Sequence, residues 1–552
     1  MLDGVSSGAL DLVLTGGSIA DVRAGSVRRA AVGIADRTIA RIGPDDEVAP
    51  HARQTIDVSG QVIVPGYIEP HGHILLANPV EFAGALLRTG TTTAIVDALP
   101  FMVLTPPDRL PELLASLSAL PMKFRWLIRL QPQSFTETGE RFRLETLRAL
   151  WRQPWAAAVG EVTRWVDVLD GDPDLVSKIR AAREDGKRVE GHAAGASYER
   201  LVGLAAAGFT SCHEAVTAQE ARDRLRAGLV AMLRHSSIRP DLPELLTAIT
   251  RDDIEAGRVM LTADGPTPAF ISEHGYLDYL LAVAIHSGLA PLDALRMVTL
   301  NPAQYYGFRD VGEIAVGKRA DLNVLPDLHH PTPSLVLADG AVVAKDQRLT
   351  APLPKPSWDQ LRPSVTVPQG VFDLLAAPQD ATEGLRLIND VITEAVPPGD
   401  IPPQALHVAL LGRGGQWITQ SKVIGFADKL GGLATTISSG FDILVLGRNP
   451  TDMADALKRL AGMGGGLVVV ERGRDVFSLP LELGAFSLRP WAEVAEANSR
   501  FNALLHERGY PFADPIFTLL FLTFDSLPWI RLTSRGLWDV RHRRVLAPAH
   551  RI

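Results

Sequence analysis

The sequence predicts an α/β protein: a (β/α)8 barrel, a composite small β-sheet domain contributed by both flanks of that barrel, and a C-terminal mixed α/β domain. Three observations predict it. Between residues 66 and 308, short apolar runs alternate with longer helical patterns, and repeated β–α units of this kind argue a parallel sheet closed into a barrel. On either side, at 1–65 and 309–350, only short β-type runs separated by turns occur. Residues 351–368 carry five prolines and read as a linker, after which 369–552 forms a third region.

The elements follow in order. Leu12-Val13-Leu14, Ala31 to Ile34, Thr38 to Ile42 and Gln61 to Val64 are the short strands of the first flank. Within the barrel, Thr91 to Val96 and Ala156 to Gly160 read as buried strands, and 108–120, 173–185, 198–207 and 218–227 as helices. Short-strand character returns at Ile314 to Leu325, Leu335 to Leu337 and Ala341 to Val343, so the first sheet is expected to be completed by chain arriving after the barrel. The third region mixes apolar runs (405–411, 441–446, 466–470) with helical ones. Its Gly464-Gly465-Gly466 reads as a turn, because no Gly-Lys-Ser/Thr follows to make a phosphate loop.

Bulk composition narrows the function. The 552 residues are 46% hydrophobic and 21% charged, with a net charge of −8, which gives no reason to expect nucleic-acid or anionic-membrane binding. The N-terminus lacks the basic and apolar regions of a signal peptide, no apolar run reaches membrane-spanning length, and a cytoplasmic location is expected. Cys212 is the sole cysteine, so intrachain disulfides and thiolate-rich metal sites are excluded. Any metal must be held by His, Asp and Glu.

Such residues recur where barrel strands end. His71 and His73 close the run Val64 to His73, and residues i and i+2 of a strand share one face, so both imidazoles can reach one point. Glu161 follows 156–160, His192 follows 188–191, His213 and Glu214 follow 207–212, and Asp264 follows 258–263. Each alone has a plain alternative: a loop cap for His192, a salt-bridge partner for Glu161, a turn residue for Asp264, a helix start for His213-Glu214. Their conjunction at the catalytic end of a barrel argues for a metal site. Four imidazoles and two carboxylates, with Glu214 in reserve, suffice for two metals with one carboxylate between them.

The same stretches resemble the amidohydrolase superfamily, and within it the bacterial adenine deaminases. Val64 to Ile74 is similar to that group's "PGxIDxHxHI", Leu86 to Asp97 to "GTTTVVxD", Gly160-Glu161-Val162 to "GEVM", and Gly171 to Ala193 to "GDPxxxxKIRAARxxGKxVxGHAPG". Ala207 to Glu214 resembles "AGIxSDHE", Met297 to Phe308 "MATLNPAxYFGL", Met463 to Arg472 "GGGxVVV", and Leu532 to Val540 "LTDRGLVDV". The resemblance covers nearly the whole chain. It implies two divalent metal ions, Zn, Mn or Fe, with Glu161 bridging them. His71 and His73 would hold one metal together with Asp264, and His192 and His213 the other. Hydroxide between the metals would attack C6 of an adenine-like ring. Asp264 would carry its proton to the departing amine, with Glu214 a second candidate carrier. A small-molecule substrate and a homo-oligomer are implied as well.

The departures lie near that chemistry. "DPHE" is Asp97-Ala98-Leu99-Pro100, "HIESS" is His73 to Ala77 with an apolar Ile74-Leu75-Leu76, "TDD" is Thr262-Ala263-Asp264, "IREGS" is Leu233 to Ser237 with an added His235, and "HDSHN" is Ser438 to Asp442. Loss of polar groups around retained ligands predicts a less polar substrate than adenine, so an amidase or cyclic-amide hydrolase stands as the alternative. A catalytically silent scaffold is the third reading, and the retained His71, His73, Glu161, His192, His213 and Asp264 argue against it.

Overall fold

A computed structural model describes residues 9–135, 139–250, 256–359, 361, 365–376 and 383–552. At its centre are eight parallel strands: β1 (Tyr67–Gly72), β2 (Thr91–Asp97), β3 (Lys123–Ile128), β4 (Ala156–Val162), β5 (Arg188–Gly191), β6 (Ser211–Cys212), β7 (Val230–Arg234) and β8 (Val259–Thr262). Each pairs with its neighbour in sequence. The ends meet through a parallel bridge between Gly72 and Asp264, where His73 N donates to Asp264 O at 2.9 Å. Strands buried on both faces need apolar and β-branched residues throughout, and Thr91-Thr92-Thr93-Ala94-Ile95-Val96 meets that need without alternation. The expected helices form at Leu110–Ser118, Pro173–Glu184, Tyr198–Ala206 and Ala218–Arg226. Capping chemistry sets their starts: Asp172 accepts from Leu175 N, Ser197 from Arg200 N and Thr217 from Glu220 N.

Chain from both flanks forms one sheet beside the barrel. The strand Leu322–Leu325 pairs antiparallel with Val62–Pro65, in the register Leu322 to Pro65 and Leu325 to Val62. That register places the last residues before β1 under a clamp of later chain. A four-stranded sheet, Thr38–Gly43, Ala31–Ala35, Leu12–Thr15 and Thr55–Asp57, stacks with it over a shared apolar core.

The third region is a mostly antiparallel sheet running from Thr393–Val396 at one edge to Arg474–Pro480 at the other, with the helix Pro450–Gly462 packed on it. The apolar runs read from sequence become its strands Leu406–Leu411, Ile443–Gly447 and Gly466–Glu471. This region sits on the barrel mouth. Phe486–Ser487 pairs with Leu76–Ala77, directly after the His-x-His. Asn78 caps the helix Pro79–Arg88 with its Oδ1, while its Nδ2 donates to Ser487 O at 2.9 Å. Trp491 Nε1 donates to Ser272 at 2.8 Å, and the buried Asp514 accepts from Thr267 at 3.2 Å. Among the described residues no helix is long and apolar enough to cross a membrane.

Candidate active site

All eight strands deliver polar groups to one end of the barrel. His71 lies in β1, and His73 follows one residue after its end. Asp97 ends β2, Arg129 follows β3, and Glu161 is in the last turn of backbone of β4. Glu190 is in β5 and His192 follows it; His213 and Glu214 follow β6; Arg234 ends β7; Asp264 lies two residues past β8. Two backbone features place these groups. Gly160 approaches β5 so closely that a Cβ there would lie 2.5 Å from Glu190 O, and only glycine lets Glu161 come alongside. Asp264 holds φ +59°, a left-handed conformation that costs a non-glycine residue free energy and aims its carboxylate back over β1.

The seven residues expected from sequence converge. His71 Nε2 stands 3.1 Å from His73 Nε2, and Asp264 Oδ1 is 3.2 Å from His73 Nε2 and 3.7 Å from His71 Nε2. On the other side, His192 Nδ1 and His213 Nε2 are 3.2 Å apart. Both face Glu161 Oε1, which contacts His192 and lies 3.2 Å from His213. Glu214 Oε1 is 3.5 Å from His192 and 3.4 Å from His213. The other Glu161 oxygen points toward His73, at 3.8 Å, so this carboxylate stands between the two halves.

Five further groups went unassigned in the sequence. Asp97 Oδ2 lies 3.3 Å from His73 Nδ1, and Arg129 ties Asp97 (2.7 Å) to Glu161 (2.6 Å) in a fully buried ion pair. Arg234 does the same for Glu214 (2.7 Å) and Asp264 (2.6 Å). Glu190 Oε2 accepts from His71 Nδ1 at 2.7 Å, and its other oxygen accepts a hydrogen bond from the Tyr306 hydroxyl. Asp97 obeys the same strand-end rule as the others; the arginines and Tyr306 carry no pattern of their own. His235, which sequence placed near the site, packs its ring against Tyr279 instead.

The electrostatics follow from these partners. Burial alone would raise the Glu161 carboxyl, but Arg129 and His192 hold it well below the usual range. Burial is likewise overcome at Asp264 by His73 and Arg234, and at Asp97, lowered to about 2, by Arg129 and His73. His213 is pushed down to about 4 by burial and by the stacked ring of His71, which keeps it neutral, the form that ligates.

The donor set fits divalent metal. With Glu190 accepting a hydrogen bond from its Nδ1, His71 can offer Nε2 to a metal, and Asp97 beside Nδ1 disposes His73 the same way. Two nitrogen lone pairs 3.1 Å apart beside the Asp264 carboxylate repel one another unless a cation lies among them. Without metal a proton takes that place: burial opposes charging His73, yet Asp264 and Asp97 push it up to about 10. Among the described residues, four sets of three donors have ligand atoms within 4.8 Å of one another, and Glu161 belongs to two of them: with His71 and His213, and with His73 and Asp97. Hard oxygen and imidazole ligands suit Zn, Mn or Fe.

His73, Asp97, Glu161, His192, Glu214 and Asp264 form the floor of a cavity of about 1310 Å³ roofed by the C-terminal region. Leu75, Leu76 and Leu99 line it near the floor, and Phe521, Phe524 and Trp529 line it from above.

An eight-stranded barrel with His, Asp and Glu ligand sets at its strand ends defines a metal-dependent hydrolase. Residues 62–367 match the family model described as the amidohydrolase family, and the chain belongs to that family. Residues 383–544 match the adenine deaminase C-terminal domain, which specifies the type: a metal-dependent amidohydrolase of the adenine deaminase kind, acting on C–N bonds. A putative adenine deaminase of Halalkalibacterium halodurans is 36% identical over 525 residues, covering 92% of this chain and 88% of its own. An adenine deaminase of Moorella thermoacetica is 31% identical over 567 residues, covering 97% and 95%. The amidase alternative is not favoured by these relatives.

Proposed function

We propose that the protein deaminates a 6-aminopurine, adenine or an N6-substituted adenine, by hydrolysis at a site holding two divalent metals. The observation that carries this is the gathering of His71, His73 and Asp264 on one side of Glu161 and of His192 and His213 on the other, beneath a covered cavity. His71, His73 and Asp264 serve one metal, His192 and His213 the other, and Glu161 lies between. Bound there, the metals supply Lewis acidity that makes water a nucleophile near neutral pH. The chain's own groups handle the protons. The water oxygen bonds to C6 and the C6–N6 bond breaks; one water proton ends on ring nitrogen N1 and the other on the departing amine. Asp264, ionised beside Arg234, carries the proton to the amine, and Glu214 is the candidate for the other transfer. The C-terminal roof excludes bulk water from the reacting atoms. A cytoplasmic homo-oligomer completes the reading, and light scattering tests the assembly.

The test is release of ammonia from adenine, and of methylamine from N6-methyladenine, by protein reconstituted with Zn, Mn or Fe, with metal content measured on the same sample. About two metals per chain and ammonia formed with hypoxanthine are expected. Fully metallated protein that releases no amine from either purine refutes the reading.

A further inference from the structure

The barrel is closed at one seam by a side chain. Neighbouring strands are hydrogen-bonded from β1 through to β8, but among the described residues β8 forms no ladder with β1, and the backbones are joined at the bridge between Gly72 and Asp264, beyond the end of β8. Into that seam projects the carboxylate of Glu69, which lies in β1 and is wholly buried. Its donors come from both sides. Oε1 accepts from His71 N at 2.9 Å and from the hydroxyl of Thr262, the last residue of β8, at 2.5 Å; Oε2 accepts from Ala263 N at 3.0 Å. Thr262 Oγ1 also lies 2.6 Å from His71 O, so its proton is shared between two acceptors on β1, and it accepts from Asp264 N at 3.0 Å.

These contacts converge on Asp264. Its φ of +59° is a conformation that a residue with a Cβ keeps only where its surroundings over-determine it. Three ties do so: Ala263 N to Glu69, Asp264 N to Thr262, and His73 N to Asp264 O at 2.9 Å. Glu69 holds two of the three, one directly and one through the Thr262 hydroxyl. The carboxylate so placed stands 3.2 Å from His73 Nε2 and 2.6 Å from Arg234 Nη1. Glu69 does not line the cavity and belongs to none of the ligand sets among the described residues. With both oxygens engaged, it acts on the site through the turn. A carboxamide cannot do the same, because Gln has one acceptor oxygen and would turn its NH2 toward donors on one side of the seam.

Resting on the deaminase reading above, we propose that Glu69 is a positioning residue for the reaction: by fastening the Thr262-Ala263-Asp264 turn to β1, it fixes the orientation from which the Asp264 carboxylate takes and passes on its proton. Glu69 touches no substrate and works through Asp264. Without it the turn relaxes toward ordinary backbone angles, and the Asp264 carboxylate leaves its place against His73 and Arg234.

The test is a double-variant cycle of Glu69→Gln and Asp264→Asn in full-length protein. It is read by steady-state amine release from adenine or N6-methyladenine, whichever turns over faster, and by the visible absorption of the cobalt(II)-loaded forms. Glu69→Gln alone is expected to lower kcat by about 10- to 100-fold with KM within about twofold of the parent, since the displaced contact is one made in the transition state. In the Asp264→Asn background the same change should cost less than about twofold, because the group it positions is already gone. The cobalt spectra should follow that pattern: Glu69→Gln alters the parent's spectrum, whereas Asp264→Asn and the double variant share one. Where Glu69→Gln fails to fold by circular dichroism, Thr262→Val, which cuts the same chain one link along, takes its place with the same expected pattern. Equal losses in both backgrounds, or a cobalt spectrum left unchanged, overturn the proposal, since the carboxylate would then only stabilise the seam. A metal-loaded parent that releases no amine from either purine refutes the deaminase reading instead, and the cobalt spectra still decide whether Glu69 holds Asp264.

Discussion

Replacing Glu190 with Ala should weaken metal binding at His71 by about 10- to 100-fold while leaving the barrel folded. The figure follows from the contacts. Glu190 is buried, its Oε2 accepts from His71 Nδ1 at 2.7 Å, and Tyr306 and β5 fix its position. A hydrogen bond to a charged partner is worth about 1.5–3 kcal/mol net, which converts to the quoted factor at about 1.4 kcal/mol per decade. Without Glu190 the ring is free to take the other tautomer, placing N–H where a lone pair is needed. Glu190→Gln retains an acceptor but loses the charge, so a smaller loss is expected. Tyr306→Phe, which keeps the carboxylate and removes one of its partners, should cost least. The assay is competition with a chelator of known affinity, alongside thermal melts of the metal-free proteins. The reasoning fails if Glu190→Ala holds metal within about twofold of the parent, or if the three variants rank in another order.

Three other outcomes follow from the same contacts. Asp264→Asn should cut ammonia release by about 10²- to 10⁴-fold, yet keep more metal than His71→Ala does; equal metal loss in both would make Asp264 only a ligand. Arg129→Met leaves Asp97 and Glu161 buried without their cation, so the metal-free variant should lose about 3–5 kcal/mol in denaturant melts, and metal should restore part of it. In the C-terminal region, burial pushes the carboxyl of Asp442 up to about 7 in spite of Arg413. The folded state therefore holds a proton that the unfolded state releases near the ordinary carboxyl value of 3.8. Its contribution is fully present below that value and is lost as pH rises toward 7, so Asp442→Asn should flatten the parent's decline in melting temperature over that window.

What could be read from the sequence divides along a physical line. His71 and His73 were legible because strand geometry alone puts i and i+2 on one face, and the barrel because β–α alternation has a single economical closure. Glu161, His192, His213, Glu214 and Asp264 were legible because each breaks an apolar run where a strand must end. Asp97 does so too, but it was taken with Ala98-Leu99-Pro100 as part of an altered motif, and its contacts with His73 and Arg129 became visible only in three dimensions. Arg129, Arg234, Glu190 and Tyr306 neutralise or orient ligands borne by other strands. Such a pairing depends on which side chains meet across the barrel, and one-dimensional spacing does not encode it. The roof belongs to the same category, since nothing in the strand Phe486–Ser487 announces Leu76–Ala77 as its partner.

That pairing changes the meaning of the apolar run after His73. From sequence alone, Ile74-Leu75-Leu76-Ala77 reads as a substrate pocket that has lost polar groups. In the folded protein Ile74, Leu76 and Ala77 are all buried, and Leu76–Ala77 is hydrogen-bonded to the C-terminal region. A segment closed under a second domain gains from apolar side chains whatever the substrate is, because polar ones there would be desolvated without partners. Leu75 is the one member left partly exposed, and Ile74 and Leu76 line the cavity beside it. The apolarity therefore reports docking of the roof at Leu76 and Ala77, while Ile74, Leu75 and Leu76 can also bear on specificity. Docking of the roof thus accounts for part of the apolar run without any change of substrate, and that part is no ground for moving the substrate away from a purine.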